Sequence, residues 1–358
     1  MPTPDDVLIE KRGSLGLVTL NRPQQQNVLS LPMLRRIAAA LDDFTADDGI
    51  ATIMIGAVGR VFSAGGDVYG ILAPPPGAEF DRFRREYFRS EFALDHRIHA
   101  CPKPVVALLD GLTIGGGCGL ALHARYVVTT ERTIVSMPET AIGYFPDVGA
   151  SRFLNRLPGR IGLYVGLRGL RLGAADVVGL GLAGHHVRAQ RRDEFVAALA
   201  AITQPEPTAL AAAIARVLAQ FADNPGPSPV LARRPRIDEL FAGDTVEDIV
   251  VALSGAGESW AEAALATLRH VCPMSLKVTL RLLCEGGGSS LAEALRTDYR
   301  VCLRLTGRDD FREGVRAVLV DKDNQPKWQP ECLERVDRAA VAACFAPLEP
   351  AESELDLS

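Results

Sequence analysis

The sequence predicts an α/β fold made of repeated ββα units, followed by a helical C-terminal region. Three observations carry that expectation. Residues 7–56 read strand, strand, helix, strand; a second β-rich unit begins at Pro104; and from about Gln204 the chain turns to Ala-, Leu- and Arg-rich helical periodicity.

Along the chain, Val7–Arg12 and Leu15–Asn21 are β-rich runs joined across Gly13-Ser14, which predicts a hairpin. Leu31, Leu34, Ile37, Leu41 and Phe44 recur at helical spacing, so a helix is expected there, with Ala51–Gly56 as the buried strand after it. The second unit runs from the strand Pro104–Asp110 through Gly115-Gly116-Gly117 into a buried helix over Cys118–Ala124, with strands at Tyr126–Thr130 and Ile134–Met137. Phe153–Gly179 reads as helix broken near Pro158-Gly159 and Gly169. Beyond Gln204 the pattern is mainly helical to Arg316, interrupted by the loop Asn224–Pro229, and the acidic stretch Glu349–Ser358 is expected to fray. The expected division is a core over 1–200 with the site, a helical region over 201–345 covering it, and a tail over 346–358.

With 358 residues, 47% of them hydrophobic, the chain can bury a large core, which excludes a disordered protein or a disulfide-stapled miniprotein. A net charge of -5, with no Lys/Arg run interleaved with aromatics, argues against nucleic acid as a partner. The apolar runs are too short to span a bilayer, so no membrane is expected. Met1–Asp6 has neither the basic and apolar segments of a signal peptide nor the Arg- and Ser-rich composition of a transit peptide, which makes cytoplasmic the default location. The seven cysteines are scattered without a C-x-x-C pair, so reduced thiols are expected. The six histidines lack ligand spacing, and His185-His186, adjacent on a strand, would point to opposite faces. No metal is expected.

Three segments carry the chemistry: Phe62–Asp67, containing Gly65-Gly66; Gly115-Gly116-Gly117; and Pro138–Gly149. Each follows a strand-like run. Glycine at such points lets backbone N–H groups approach a ligand with no Cβ in the way, and an N–H at a helix start has no intrahelical partner. Two such groups from separate segments can hold a developing oxyanion, at roughly 3 kcal/mol per donor. Taken singly, a glycine run is better explained by tight packing or a turn. Glu139 and Asp147 each follow a proline and stand eight positions apart among small and apolar residues. Desolvated there, a carboxylate gains proton affinity and can take a proton from water or hand one on; helix or turn capping is the alternative.

These segments, in this order, resemble the crotonase (enoyl-CoA hydratase/isomerase) superfamily, and within it the 3-hydroxyisobutyryl-CoA hydrolase branch. Met137–Gly149 carries the strongest similarity, supported by Glu91–Ile98, Ser275–Leu280 and Asp310–Asp323. The likeness covers nearly the whole chain, least from Gln204 to Val271 and after Leu333. It implies a crotonase-like spiral of ββα units. By position it also implies that Gly66 and Gly116 supply the oxyanion-hole N–H groups for a thioester carbonyl, and that Glu139 is the acid/base glutamate shared with hydratases. Asp147 matches the second catalytic carboxylate of the hydrolase branch, and Glu91 a residue lining its substrate pocket. The hydratases' other catalytic glutamate falls at Gly119, which has no proton to give.

The implied activity is hydrolysis of a short-chain acyl-CoA thioester, by resemblance 3-hydroxyisobutyryl-CoA in valine catabolism. Coenzyme A is then part of the substrate, no separate cofactor is expected, and a homo-oligomer is left open. Glu139 either attacks the carbonyl or acts as a base on water, while Asp147 assists proton transfer or positions water. Two alternatives stand beside this: an enoyl-CoA isomerase or hydratase-like enzyme using Glu139 alone, and a non-catalytic acyl-CoA-binding protein.

Overall fold

The computed structural model describes residues 4–203, 206–349 and 353–357. Met1–Thr3, Gln204 at the expected change of character, and Pro350–Glu352 and Ser358 of the acidic tail lie outside the described residues. The chain forms two compact units. One comprises Met1–Asp67, Ser90–Val135 and Leu172–Pro229, the other Val68–Arg89, Ser136–Arg171 and Val230–Ser358.

The sheets belong to the first unit. Their strands are β1 (Val7–Arg12), β2 (Leu15–Leu20), β3 (Thr52–Ala57), β4 (Val61–Ser63), β5 (Val105–Leu109), β6 (Leu112–Ile114), β7 (Tyr126–Thr129), β8 (Ile134–Ser136), β9 (Leu172–Gly173) and β10 (His185–His186). Six form one sheet in the order β1-β2-β3-β5-β7-β10. The first pair is the expected hairpin, antiparallel with Val7 facing Leu20, and each later pairing is parallel. Parallel strands are covered on both faces and read as continuous apolar runs. Every residue of β3 and β5 is buried accordingly. On one face Leu17, Met54, Val106, Leu108 and Val128 pack with Phe195, Leu199, Ile214 and Phe221 from the helices Arg192–Ala200 and Pro207–Phe221. Elsewhere on β2, Phe44 of the helix Leu31–Ala46 comes so near that a Cβ on Gly16 would lie 2.6 Å from its ring.

The second sheet runs β4-β6-β8-β9. In it β4 and β6 pair in parallel, Val61 facing Leu112 and Ser63 facing Thr113. Parallel neighbours release their chains at the same end. The glycine loops that follow these two strands therefore start side by side.

The second unit is helical, and its helices include Ile161–Arg168, Pro273–Glu285, Leu291–Leu305 and Asp309–Val315. Leu291–Leu305 starts at a capping box in which Ser290 and Glu293 satisfy each other's backbone N–H groups. Two expectations are refined here. The stretch from Phe153 to Gly179 contains a short strand at Leu172–Gly173 as well as its helices. The tail expected to fray is docked over residues 353–357: Leu355 is buried, Arg296 donates to its carbonyl at 3.3 Å, and Glu354 pairs with Arg300 at 2.9 Å. Acidic composition suggested a solvated end, but two leucines in it find apolar cover. Among the described residues no helix is long and apolar enough to cross a membrane, and no group of three or more His, Cys, Asp or Glu could hold a metal ion.

Candidate active site

Gly66 and Gly116 are fifty positions apart, and the parallel pairing of β4 with β6 makes their loops neighbours. After β4 the chain is tied to Leu29, whose N–H donates to the Gly65 carbonyl at 2.9 Å and whose carbonyl accepts from Asp67 N–H at 3.2 Å. Neither bond uses the Gly66 N–H. Asn27 fixes the base of this loop: its amide donates to the carbonyls of Val58 (3.0 Å) and Val61 (2.7 Å), and its oxygen accepts from Arg22 N–H (2.7 Å). After β6, Gly115 at φ +51 precedes the helix Gly116–Leu122, so the Gly116 N–H opens a helix and has no carbonyl one turn back. A Cβ on Gly116 would lie 3.4 Å from Gly66 N and 2.2 Å from Glu91 Oε1. The two amides are thus close neighbours, with the Glu91 carboxyl beside them.

Glu91 and Asp95 are one turn apart on the helix Ala78–Ala100, hence on one face, and both are buried. Asp95 lies against Gly119, where a Cβ would stand 2.5 and 2.6 Å from its two carboxylate oxygens and 2.8 Å from Cγ. A short, enclosed side chain has nowhere to swing. Gly119→Ala is therefore expected to destabilise the protein by about 1–3 kcal/mol, the overpacking outweighing the roughly 1 kcal/mol alanine usually gains in a helix. Thermal unfolding measures this, and an unchanged midpoint would contradict the close packing.

In the second unit Glu139 opens the single turn Glu139–Ile142, and Gly143 at φ +71 brings Tyr144 N–H back to the Glu139 carbonyl at 3.0 Å. The helix Asp309–Val315 packs directly on this turn, since a Cβ on Gly143 would lie 2.5 Å from the Asp310 carbonyl oxygen and one on Gly314 2.4 Å from the Ile142 carbonyl carbon. Glu139 and Asp147 are 7% and 4% exposed, so both acids are withdrawn from water. Asp147 Oδ2 accepts from the Tyr144 hydroxyl at 2.9 Å, and the Tyr144 ring lies among Phe88, Phe145 and Phe311. Burial pushes the Asp147 carboxyl up to about 7, outweighing the Tyr144 bond, which favours the charged form. Near neutrality this group exists in both states. It can take a proton and give it back.

The structure thus brings Gly66, Gly116 and Glu91 together in the first unit and carries Glu139 and Asp147 on one short segment of the second. Sequence reasoning missed Asn27, Asp95, Tyr144 and Asp298. Asp95 stands four residues from Glu91, so helical spacing was a usable signal. Asp298 is the acid in the buried stripe Leu291, Leu295, Cys302 and Leu305, and could have been found as a charge out of place. Tyr144 lay inside the Met137–Gly149 segment without a reason to single it out; Asn27 gave no local sign.

The family described as Enoyl-CoA hydratase/isomerase matches residues 15–345. The 3-hydroxyisobutyryl-CoA hydrolase, mitochondrial, of Xenopus laevis is 40% identical over 95% of this chain and 89% of its own length. The protein of the same name from Gallus gallus is 41% identical over 96% of this chain and 89% of its own. The crystal structure of a carnitinyl-CoA dehydratase from Mycobacterium thermoresistibile matches with a TM-score of 0.90 and 36% identity, covering 99% of both chains. These names disagree over reaction, hydrolysis against dehydration. They also correct the cytoplasmic location expected above, because both hydrolases are named as mitochondrial. Composition alone does not report a compartment.

Proposed function

The chain belongs to the enoyl-CoA hydratase/isomerase family, and from that premise we propose that it hydrolyses a short-chain acyl-CoA thioester, 3-hydroxyisobutyryl-CoA foremost. The observation that carries this choice over dehydration is the set of acids. Position 119 is glycine with Asp95 filling the adjacent space, while a second buried carboxyl, Asp147, shares a segment with Glu139. Two carboxyls suit hydrolysis, in which water must lose a proton at one step and the acyl group must be attacked at another.

The thioester oxygen docks on the N–H groups of Gly66 and Gly116, each worth roughly 3 kcal/mol as negative charge develops. Glu139 drives attack on the carbonyl carbon, as nucleophile or as base on water. The tetrahedral centre collapses with loss of the CoA thiolate, a good leaving group that needs little acid help. Where Glu139 has bonded to the acyl carbon, water then opens the mixed anhydride. On that route Asp147 takes the proton of the water that opens the anhydride and passes it to the CoA thiolate, for which a carboxylate of raised basicity is better suited than an ordinary one; where Glu139 is itself the base, Asp147 positions the water. No separate cofactor enters, since the acyl group arrives activated on CoA.

Glu91, beside the Gly116 end of the amide pair, is assigned to the substrate hydroxyl. Glu91→Ala is expected to lower the preference for hydroxylated over plain acyl groups about tenfold or more, the worth of a hydrogen bond to a charged group. Equal losses on both substrate types would remove that role. The reading as a whole is tested by thiol release from a panel of short saturated acyl-CoA esters. An isomerase releases none, a binding protein binds without releasing any, and either result would overturn thioester hydrolysis.

A further inference from the structure

The turn that presents Asp147 is strained. Val148 takes φ +49 and Gly149 φ +74, and a β-branched residue adopts the left-handed region only where its surroundings force it. Two bonds close the turn: Ala150 N–H donates to the Asp147 carbonyl at 2.8 Å, and Gly149 N–H donates to Asp298 Oδ2 at 2.7 Å. Asp298 reaches it from the middle of the helix Leu291–Leu305, 149 positions away in sequence and 0% exposed. Its other oxygen, Oδ1, is buried with no hydrogen-bond partner among the described residues. A lone acid in an apolar helix stripe is a poor way to gain stability. The hydrolytic steps above give it no task.

We propose that Asp298 is a positioning residue for Asp147: it clamps the strained Val148-Gly149 turn through the Gly149 N–H and so holds the neighbouring Asp147 carboxyl in place. This rests on Asp147 being the second catalytic carboxyl. Burial raises the Asp298 carboxyl well above its ordinary range, ionised Asp147 pushes it further, and the Gly149 bond opposes both. The bonds to these two acids come from a hydroxyl and a backbone N–H, not from cations. Tyr144 donates to Asp147; Cys302 is held as a thiol by burial and by both acids; and Arg84, which acts the other way on Cys302, is bonded to Asp81, Thr306 and the Leu303 carbonyl.

The test compares Asp298→Leu, which keeps the branched shape and removes the acceptor, with Asp298→Asn, which keeps an acceptor and is neutral at every pH. Asp298→Leu should lower kcat for thiol release by roughly 30-fold or more with KM within about threefold, and Asp298→Asn should recover most of that loss. Infrared titration of the carboxyl C=O stretch, in the full chain without substrate, reads the pair independently of turnover. In Asp147→Asn the Asp298 band should titrate at lower pH than in the wild type, because the charge that opposed its ionisation is gone. Wild-type kcat in Asp298→Leu, or an Asn variant as impaired as the Leu variant at an unchanged thermal midpoint, would overturn the clamp. An Asp298 band that stays in place in Asp147→Asn would overturn the pairing of Asp298 with Asp147. Should Asp298→Leu fail to fold, the Asn variant and the infrared titration still decide. A wild type that releases no thiol would defeat the hydrolase assignment alone, since the infrared result stands without it.

Discussion

Replacing Glu139 by Gln is expected to lower thioester hydrolysis by at least about 10²-fold, the usual size of losing a general base, and by more if Glu139 itself attacks the acyl carbon. Glutamine has the same shape, and the bond that shapes this turn, Tyr144 N–H to the Glu139 carbonyl at 3.0 Å, belongs to the backbone and survives. Affinity for the CoA product should therefore hold while kcat collapses. Thiol release in steady state and product inhibition by CoA measure the two halves of this statement. Near-normal turnover in Glu139→Gln would remove Glu139 from the chemistry.

Asp147→Asn is expected to move activity and stability in opposite directions. Its carboxyl stands at about 7 in the folded protein against 3.8 ordinarily, so the folded state binds the proton more tightly than the unfolded one. Stability from this source is fully present below the ordinary value and is lost as pH rises through about 7. Above that pH the buried charge costs on the order of 4 kcal/mol, which asparagine relieves, so the variant should unfold at least about 3 °C higher than the wild type at pH 8.5 and nearly level with it near pH 4. Hydrolysis should fall by about 10²-fold or more, and the rise of kcat/KM with pH centred near 7 should vanish with it. Thiol release near the wild-type rate, with Glu139 intact, would overturn the two-carboxylate mechanism in favour of a single-glutamate enzyme. A variant both less active and less stable at pH 8.5 would deny the desolvation of Asp147.

What was legible in the sequence is what local patterning records. The hairpin β1-β2 and the buried strands β3 and β5 announce themselves as β-rich runs bounded by turn residues, and the structure places them within a residue or two. The helix Gly116–Leu122 was expected from Cys118 because glycines read as loop. They are helical because the backbone must pass close to β4: a Cβ on Gly117 would lie 2.8 Å from the Ser63 Cβ. Tertiary contact overrode propensity. The same holds for the acids. Glu139 and Asp147 were conspicuous as charges in an apolar segment, whereas Asp95 and Asp298 matter only through residues they meet from other elements, Gly119 and Gly149. No window of the sequence contains either meeting.

The contact between Asp95 and Gly119 also constrains the order in which this enzyme could change. A glutamate at 119 would have to place its Cβ about 2.5 Å from a buried carboxylate oxygen. That intermediate is overpacked. Trimming Asp95 first opens the room, after which the glutamate can enter. A chain holding this pair is therefore ratcheted: a route to a second acid at 119 runs through position 95, and the reverse order passes through an overpacked protein.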